Sequence, residues 1–175
     1  MEGVLERRIW FDRAFELGVS LRAQPEIIER LRGTPARLEE RLAGLSQAEA
    51  TRRYDESWSI AEHAGHLPDL EPLWLGRVED LLGGQLRLRP ADLENRATWV
   101  ANHNERIVAD IVGEFAQRRA DLVRRLESLS ADQLAMEALH PRLEQPMTVV
   151  DLGFFVAEHD DHHLATITTL RSSAD

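Results

Sequence analysis

Apolar residues recur three or four positions apart in four long stretches of the chain. These stretches cover about residues 25–43, 59–82, 104–129 and 149–170. This spacing places the apolar side chains on one face of an α-helix. No stretch alternates apolar and polar residues as a half-buried strand does, and no internal repeat is present. The pattern therefore predicts an all-α protein, folded as a four-helix bundle.

Capping residues mark the ends of the predicted helices. Ser59 can cap the second helix, with Glu62 three positions later completing a capping box. Gly83 and Gly84 end that helix, and Thr148 can cap the start of the fourth. The segments between the helices are predicted to be irregular connections: residues 46–57, 87–98 and 130–147.

Three prolines fall inside predicted helices. Pro35 lies in the first helix, and Pro68 and Pro72 lie in the second. Each proline lacks a backbone N–H, so the helix loses one hydrogen bond at that point. We expect a kink or a break at Pro35, with Thr34 as a new cap, and a kink near His66. The carbonyls that the prolines leave free must find other donors.

Residues 1–24 have a mixed pattern and are predicted to form an arm that packs on the bundle domain, residues 25–175. The arm carries more large apolar residues than one amphipathic stripe requires. We therefore expect the protein to self-associate, as a homodimer. The apolar residues in question are Ile9, Trp10, Phe11 and Phe15.

Composition narrows the possible functions. With 175 residues, 43% of them hydrophobic, the chain is long enough for one soluble domain with its own core. The net charge of −10 argues against nucleic acid and anionic membrane surfaces as partners. No stretch approaches the ~20 apolar residues of a membrane span, and residues 1–10 do not resemble a signal peptide.

The chain contains no cysteine. Disulfides, thiolate metal ligands and a cysteine nucleophile are therefore excluded, and any metal must be held by imidazole and carboxylate groups. If the protein performs thiol chemistry, the thiol must arrive with the substrate. We expect a cytoplasmic protein.

The predicted fourth helix carries a histidine-rich segment within its apolar stripe. His159 and His163 are four residues apart, so they project about 40° apart on one face and can grip one metal ion. His162, three residues after His159, could replace His163. The alternative is a solvated polar strip, which the apolar neighbours on nearly the same face argue against.

A catalytic metal site needs a third protein ligand and an open position. The second helix offers candidates between Trp58 and Leu67, in the segment WSIAEHAGHL. His63 and His66 are three residues apart there, and Glu62 lies four residues before His66 on the same face.

These segments carry a family resemblance. The pattern W-S-x-x-E-x-x-x-H-L, followed about ninety residues later by E-H-x-x-H-H, resembles the DinB superfamily. That superfamily includes YfiT-type metal-dependent hydrolases and bacillithiol and mycothiol S-transferases. The resemblance begins at about residue 25 and also rests on GTPARLEERL, GHLPDLEPLW, ADLENR, ANHN, ALHPRL and FFVAEHDDHHLA.

The resemblance implies a four-helix bundle with a divalent metal (Zn, Ni or Fe) on three histidines. Matched by motif position, these ligands are His66, His159 and His163. It also implies a small-molecule substrate, with a low-molecular-weight thiol as a possible second substrate, and is consistent with a homodimer. Glu62 is a candidate base, although its capping role explains it equally well. His162 is a candidate for a second catalytic group on the substrate path.

For several other polar and aromatic residues, the sequence allows both a functional and a structural interpretation. Asp69 and Asp160 could accept an imidazole N–H, but solvated carboxylates are the ordinary case. His103 and His140 lie in connections, where exposure is expected, although polar neighbours could make them part of a pocket rim. The tryptophans at 58, 74 and 99 are interpreted as core or pocket wall.

Two functions of different classes remain open. A metal on three imidazoles lowers the pKa of water or activates a thiolate, which supports hydrolysis or transfer of a thiol to an electrophile. The alternative is a non-catalytic bundle in which the metal only ties the second helix to the fourth. An open cavity facing the three histidines would favour the enzyme.

Overall fold

Four long helices form the body of the protein in the computed structural model, which describes residues 9–54 and 57–172. None of the described helices combines the length and apolar character needed to cross a membrane. The long helices are α1 (Gln24–Leu42), α3 (Ile60–Leu82), α5 (Val108–Glu127) and α7 (Val149–Ser172). Three short α-helices lie between them, α2 (Gln47–Ala50), α4 (Arg96–Ala101) and α6 (Ala131–Leu134), together with a 3-10 turn at His103–Glu105. The predicted four-helix bundle is confirmed.

The long helices do not pack in simple sequential order. Helix α1 packs mainly against α5 and α7, and α3 also packs against α5 and α7. Thus α1 and α3 occupy diagonal corners of the bundle, as do α5 and α7. This arrangement places α3 and α7, which carry most of the histidines, side by side.

The interior consists of two apolar clusters. The larger is shared by all four long helices and includes Leu31, Trp74, Leu122 and Phe155. The second includes Leu38, Ile60, Phe115 and Leu164, which again come from the four helices. These residues fall on the apolar faces that the sequence spacing predicts.

The internal prolines do not divide the helices. Helix α1 continues through Pro35 and α3 continues through Pro68 and Pro72, so the predicted break at Thr34 does not occur. Two of the carbonyls that the prolines leave without a backbone partner accept hydrogen bonds from arginine side chains of α5. The Leu31 carbonyl accepts from Arg119 Nη1 at 3.3 Å, and the Pro68 carbonyl accepts from Arg118 Nη1 at 2.9 Å. These donors explain how the helices remain continuous.

The connections contain more regular structure than the sequence pattern predicts. Ser46 and Glu49 form a capping box at the start of α2. A small antiparallel hairpin pairs β1 (Glu137–Leu139) with β2 (Pro146–Thr148), so the predicted connection 130–147 is not irregular throughout. Each strand has three residues, too few to produce a detectable alternation.

The described part of the arm, residues 9–23, packs on α7. Phe15 is buried, with its ring centroid 4.9 Å from that of Phe155. The backbone N–H groups of Gly18 and Val19 both donate to Asp151 Oδ1 at 2.8 Å. Residues 1–8 of the predicted arm lie outside the described residues.

Candidate metal centre

Three buried histidines from α3 and α7 converge in the bundle. One ring nitrogen from each of His66, His159 and His163 lies within 4.8 Å of the other two. The Nε2 atoms of His159 and His163 are 3.2 Å apart, and the His66 ring centroid lies 4.8 Å from that of His163. The four-residue spacing on α7 brings His159 and His163 together, and the packing of α3 against α7 adds His66 to them.

The chemistry of this cluster fits a divalent cation. Two ligands of a tetrahedral ion with metal–nitrogen bonds of about 2.0–2.1 Å lie about 3.3 Å apart, close to the 3.2 Å between His159 and His163. Burial lowers the pKa of His66 to about 4 and holds the pKa values of His159 and His163 well below the usual value. All three imidazoles are therefore neutral at pH 7, as metal ligands must be.

A fourth histidine, His63 of α3, contacts His163 on the side away from the cluster. Nδ1 of His63 lies 3.0 Å from Nδ1 of His163. This contact leaves Nε2 of His163 directed at the cluster. His63, which is partly buried, is therefore in a position to support His163.

His66 is held by a chain of hydrogen bonds. Its Nδ1 lies 2.9 Å from the hydroxyl of Thr98 on α4. Thr98 in turn bonds Asp69, whose carboxylate is 2.8 Å from His103 Nε2. Burial favours protonation of Asp69, but its hydrogen bonds with His103 and Thr98 outweigh this effect and lower its pKa. No sequence signal identified Thr98.

The expected exposure of His103 is wrong, because its side chain is fully buried. Its ring packs on Gly65, where an added Cβ would lie 2.2 Å from a ring atom of His103. A glycine at this position of α3 is therefore required by the close approach of the two residues. Asp69 is likewise hydrogen-bonded and only partly exposed, rather than solvated.

Asp160 neither supports a cluster imidazole nor faces solvent. It is fully buried and pairs with Arg119 of α5, which also donates to Glu71 of α3 at 2.6 Å. The hydroxyl of Thr34 on α1 donates to Asp160 at 2.9 Å. The network thus joins all four long helices beside the histidine cluster.

The two candidate catalytic residues occupy different surroundings. The predicted capping box is confirmed: Glu62 accepts from the Ser59 N–H at 2.9 Å, and its carboxylate also pairs with Arg53. A cavity lies next to the cluster and is described below. His162 lines this cavity, whereas Glu62 does not. The His162 ring centroid is 5.3 Å from that of His163. Catalytic roles for both residues stay predictions.

A cavity of about 340 Å³ opens onto the cluster. His66, His159 and His163 all line it, together with aromatic side chains that include Trp58 and Trp74. His140 also lines it and is buried, so its expected exposure is wrong. The arm contributes further wall residues, Trp10 and Phe11. Trp99 lies outside the cavity, half exposed, with its ring centroid 6.0 Å from that of Trp58.

Two arginines lie in the cavity wall, and the sequence pattern had not singled out one of them, Arg77. Arg77 interrupts the apolar run LWLGRV of α3, and Arg142 follows His140 and Pro141. A charged residue within an apolar run is the signal that could have identified Arg77. Arg142 is one of the polar neighbours of His140 for which the sequence suggested a pocket rim, and it lines the cavity.

Comparisons with known proteins agree with the observed fold. The family model of the DinB superfamily matches residues 30–167. YfiT from Bacillus subtilis, described as a probable metal-dependent hydrolase with an unusual four-helix bundle topology, superposes with a TM-score of 0.78 at 20% identity, covering 93% of both chains. A mycothiol-dependent maleylpyruvate isomerase superposes with a TM-score of 0.65 at 13% identity, covering 81% of this chain and 59% of the isomerase. No curated protein sequence matches. At these identities the two likenesses establish a shared fold.

Proposed function

This chain belongs to the DinB superfamily, and from that premise we propose that it is a metal-dependent enzyme acting on a small molecule. The reaction is either transfer of a low-molecular-weight thiol to an electrophile or hydrolysis. The main support is one observation: three buried, neutral imidazoles face a cavity large enough for a small substrate. Catalytic metal sites have this form, with protein ligands on one side and an accessible position on the other.

His66, His159 and His163 are the proposed metal ligands. Three neutral nitrogen donors without thiolate suit Zn, Ni or Fe in the divalent state. When bound, such an ion acts as a Lewis acid that lowers the pKa of water or of a thiol.

The surrounding residues position the ligands and shape the reaction space. His63 and Thr98 contact the Nδ1 atoms of His163 and His66, which orients both rings. Trp58 and Trp74 form apolar walls that exclude water from the substrate.

Two further residues enter the proposal as catalytic-site candidates. His162 is the proposed proton donor or acceptor, because it lies on the cavity wall next to His163. Glu62 is proposed to act by position: its hydrogen bonds hold the first turn of α3, which carries His63 and leads into the turn that carries His66.

The similar structures support both reaction types. YfiT is described as a probable metal-dependent hydrolase, and the isomerase is described as mycothiol-dependent. Because this chain has no cysteine, a thiol would have to enter the cavity as a substrate. Thiol transfer and hydrolysis are therefore tested side by side below.

The alternative function is a bundle with a structural metal. Structural zinc sites are closed by four protein ligands. Within residues 9–54 and 57–172, the potential metal-binding group comprises three histidines, and all three line the cavity. This arrangement favours the catalytic proposal.

The test compares metal-loaded and chelated protein. We expect the chelated protein to keep its helical circular dichroism at 25 °C, because the bundle has an apolar core independent of the metal. It should lose conjugation of cysteine, bacillithiol or mycothiol to monobromobimane, or hydrolysis of p-nitrophenyl acetate. Reloading with Zn, Ni or Fe(II) should restore the activity. Collapse of helicity on chelation would instead support the structural alternative.

We also propose that the protein forms a homodimer through the arm. Within the described part of the arm, Ile9 is 64% exposed and Phe11 is 54% exposed. Burial of such side chains favours association. Sedimentation should give a dimer at micromolar concentration, and Ile9→Glu should weaken it. A monomeric wild-type protein would contradict the proposal.

A further inference from the structure

The cavity wall contains a buried arginine with no carboxylate partner. Arg77 is 2% exposed, and no carboxylate of the described residues forms an ion pair with it. Its Nε donates to the Arg89 carbonyl at 3.1 Å. Asp80 is engaged by Arg89, from which it accepts side-chain hydrogen bonds at 2.8 and 2.7 Å and a backbone bond at 2.9 Å. Asp80 therefore attracts Arg77 through space but forms its ion-pair contacts with Arg89.

A second arginine lines the same cavity. Arg142 also lacks an ion pair within the described part of the chain, and its Nη2 is buried without a hydrogen-bond partner. Asp92 is the one carboxylate among the described lining residues, and it accepts the backbone N–H groups of Glu94 at 3.1 Å and Arg96 at 2.9 Å. The cavity thus holds two guanidinium groups and one acid that is already engaged.

His140 lies beside both arginines, and its hydrogen bonds define its tautomer. Nδ1 of His140 accepts the backbone N–H groups of Arg142 at 3.2 Å and Leu143 at 3.1 Å. A neutral imidazole that accepts at Nδ1 carries its proton on Nε2. That Nε2 lies 3.1 Å from Nη1 of Arg77, which is also a donor. Two N–H donors therefore face each other with no acceptor between them.

Both arginines and the histidine are held in an environment that disfavours positive charge. Burial lowers the pKa of Arg77 to about 10, and burial also lowers the pKa of Arg142. Burial and the neighbouring arginines lower the pKa of His140 to about 3, so this imidazole is neutral at pH 7. An anion would compensate the two arginine charges and accept from the facing N–H groups.

We propose that Arg77, Arg142 and the Nε2–H of His140 form an anion site that binds a carboxylate of the substrate. The guanidinium group presents parallel N–H donors that match a planar carboxylate. This inference rests on the proposed function for the reaction itself, because it assigns the part of the substrate that does not react.

The position of the site within the cavity defines the rest of the substrate. The Trp74 ring centroid lies 5.5 Å from the Arg77 guanidinium carbon and 5.6 Å from the His159 ring centroid. On the other side, the Phe155 ring centroid lies 5.2 Å from that of His140. An apolar segment therefore separates the anion site from the histidine cluster. The substrate class is a small electrophile with an aromatic or alkyl body and a carboxylate at its far end.

Binding of phenylacetate to metal-free protein tests the site without involving the reaction. Phenylacetamide has the same shape without charge, and phenyl phosphate tests a different anion. Tryptophan fluorescence reports binding, because Trp58 and Trp74 line the cavity. We expect phenylacetate to bind at least about tenfold more tightly than phenylacetamide, since it makes charge-assisted hydrogen bonds.

Two substitutions and one control assign the binding to the arginines. Arg142→Gln and Arg77→Gln should each weaken phenylacetate binding about tenfold or more and leave phenylacetamide binding unchanged. Arg87→Gln makes the same charge change at an exposed arginine paired with Glu144, outside the cavity lining, and should have no effect. If Arg77→Gln fails to fold, the partly exposed Arg142 decides the outcome.

Three results with the metal-free protein would overturn the proposed carboxylate site. These are equal affinity for phenylacetate and phenylacetamide, unchanged binding in Arg142→Gln, and tighter binding of phenyl phosphate than of phenylacetate. Phenylacetate binding that requires added Zn and ignores both arginines would place the carboxylate at the metal. That result would reject the anion site and leave the metal-dependent function standing. Conversely, arginine-dependent binding by a protein that fails every activity test would support the site and reject the function.

Discussion

Nδ1 of His63 lies 3.0 Å from Nδ1 of His163, on the side of the ring that faces away from the histidine cluster. One of the two nitrogens must donate and the other accept. If His163 donates, its proton is fixed on Nδ1 and the lone pair of Nε2 is directed toward His159. In that arrangement, His63 favours the tautomer of His163 that a metal ligand requires.

Removal of this contact should weaken metal binding without abolishing it. We expect His63→Ala to lower Zn affinity about 10- to 100-fold while retaining one equivalent at saturation. Thr98→Val, which removes the oxygen next to His66 Nδ1, should act similarly. Competition titration with a chromophoric chelator measures both. Thr51→Val, at the end of α2, is the control and should match wild type; equal affinity in all four proteins would refute the orienting role.

Loss of a proposed ligand should have a larger effect than loss of a supporting residue. His66→Ala, His159→Ala and His163→Ala should each abolish stoichiometric metal in dialysed protein, because two imidazoles bind a divalent ion weakly. His162→Ala, which removes a neighbouring histidine outside the cluster, should retain one equivalent. Elemental analysis measures the metal content. One equivalent retained in His66→Ala or His163→Ala would reject the ligand assignment.

The metal-free protein should lose stability in acid over a defined pH window. Burial lowers the pKa of His66 from 6.5 to about 4 in the folded state. Between these values the unfolded chain binds a proton that the folded chain does not, so the free energy of unfolding falls as pH falls from 6.5 to 4. His66 alone accounts for up to about 3 kcal/mol of this loss. Urea unfolding at pH 7, 5.5 and 4 measures it.

The substitution His66→Asn provides the control for this pH effect. Asparagine does not titrate, so the variant should lose less stability than wild type between pH 7 and 4. Parallel pH profiles for the two proteins would show that His66 does not titrate as its burial requires.

The buried network around Arg119 should be a major contributor to stability. Arg119→Met leaves Asp160 and Glu71 buried without their cation, and we expect it to reduce the free energy of unfolding by about 3–5 kcal/mol. Arg125→Met removes an arginine of the same helix whose partner, Glu79, is exposed, and should cost about 1 kcal/mol or less. Urea denaturation of metal-free proteins separates this effect from metal binding. Similar losses in both variants would contradict the prediction.

The sequence by itself determined the features that depend on residues a few positions apart. The 3.6-residue period defined the four long helices, and Ser59 and Glu62 defined a helix start. The spacing of His159 and His163 placed their rings on one face of α7. Each of these relationships is local, because helix geometry alone fixes the positions of residues three or four apart.

The tertiary structure decided the environment of each polar side chain. Asp160 follows His159 directly in the sequence, yet its side chain is buried in an ion pair with Arg119, which is 41 positions away. His140 looks like an exposed loop residue, yet it faces Arg77 from 63 positions away. A polar group can be buried only when a remote partner compensates its lost hydration, and sequence spacing does not reveal that partner. The packing of α3 beside α7 made three histidines a cluster, and the long-range contacts of Arg77, Arg142 and His140 made the far end of the cavity positive.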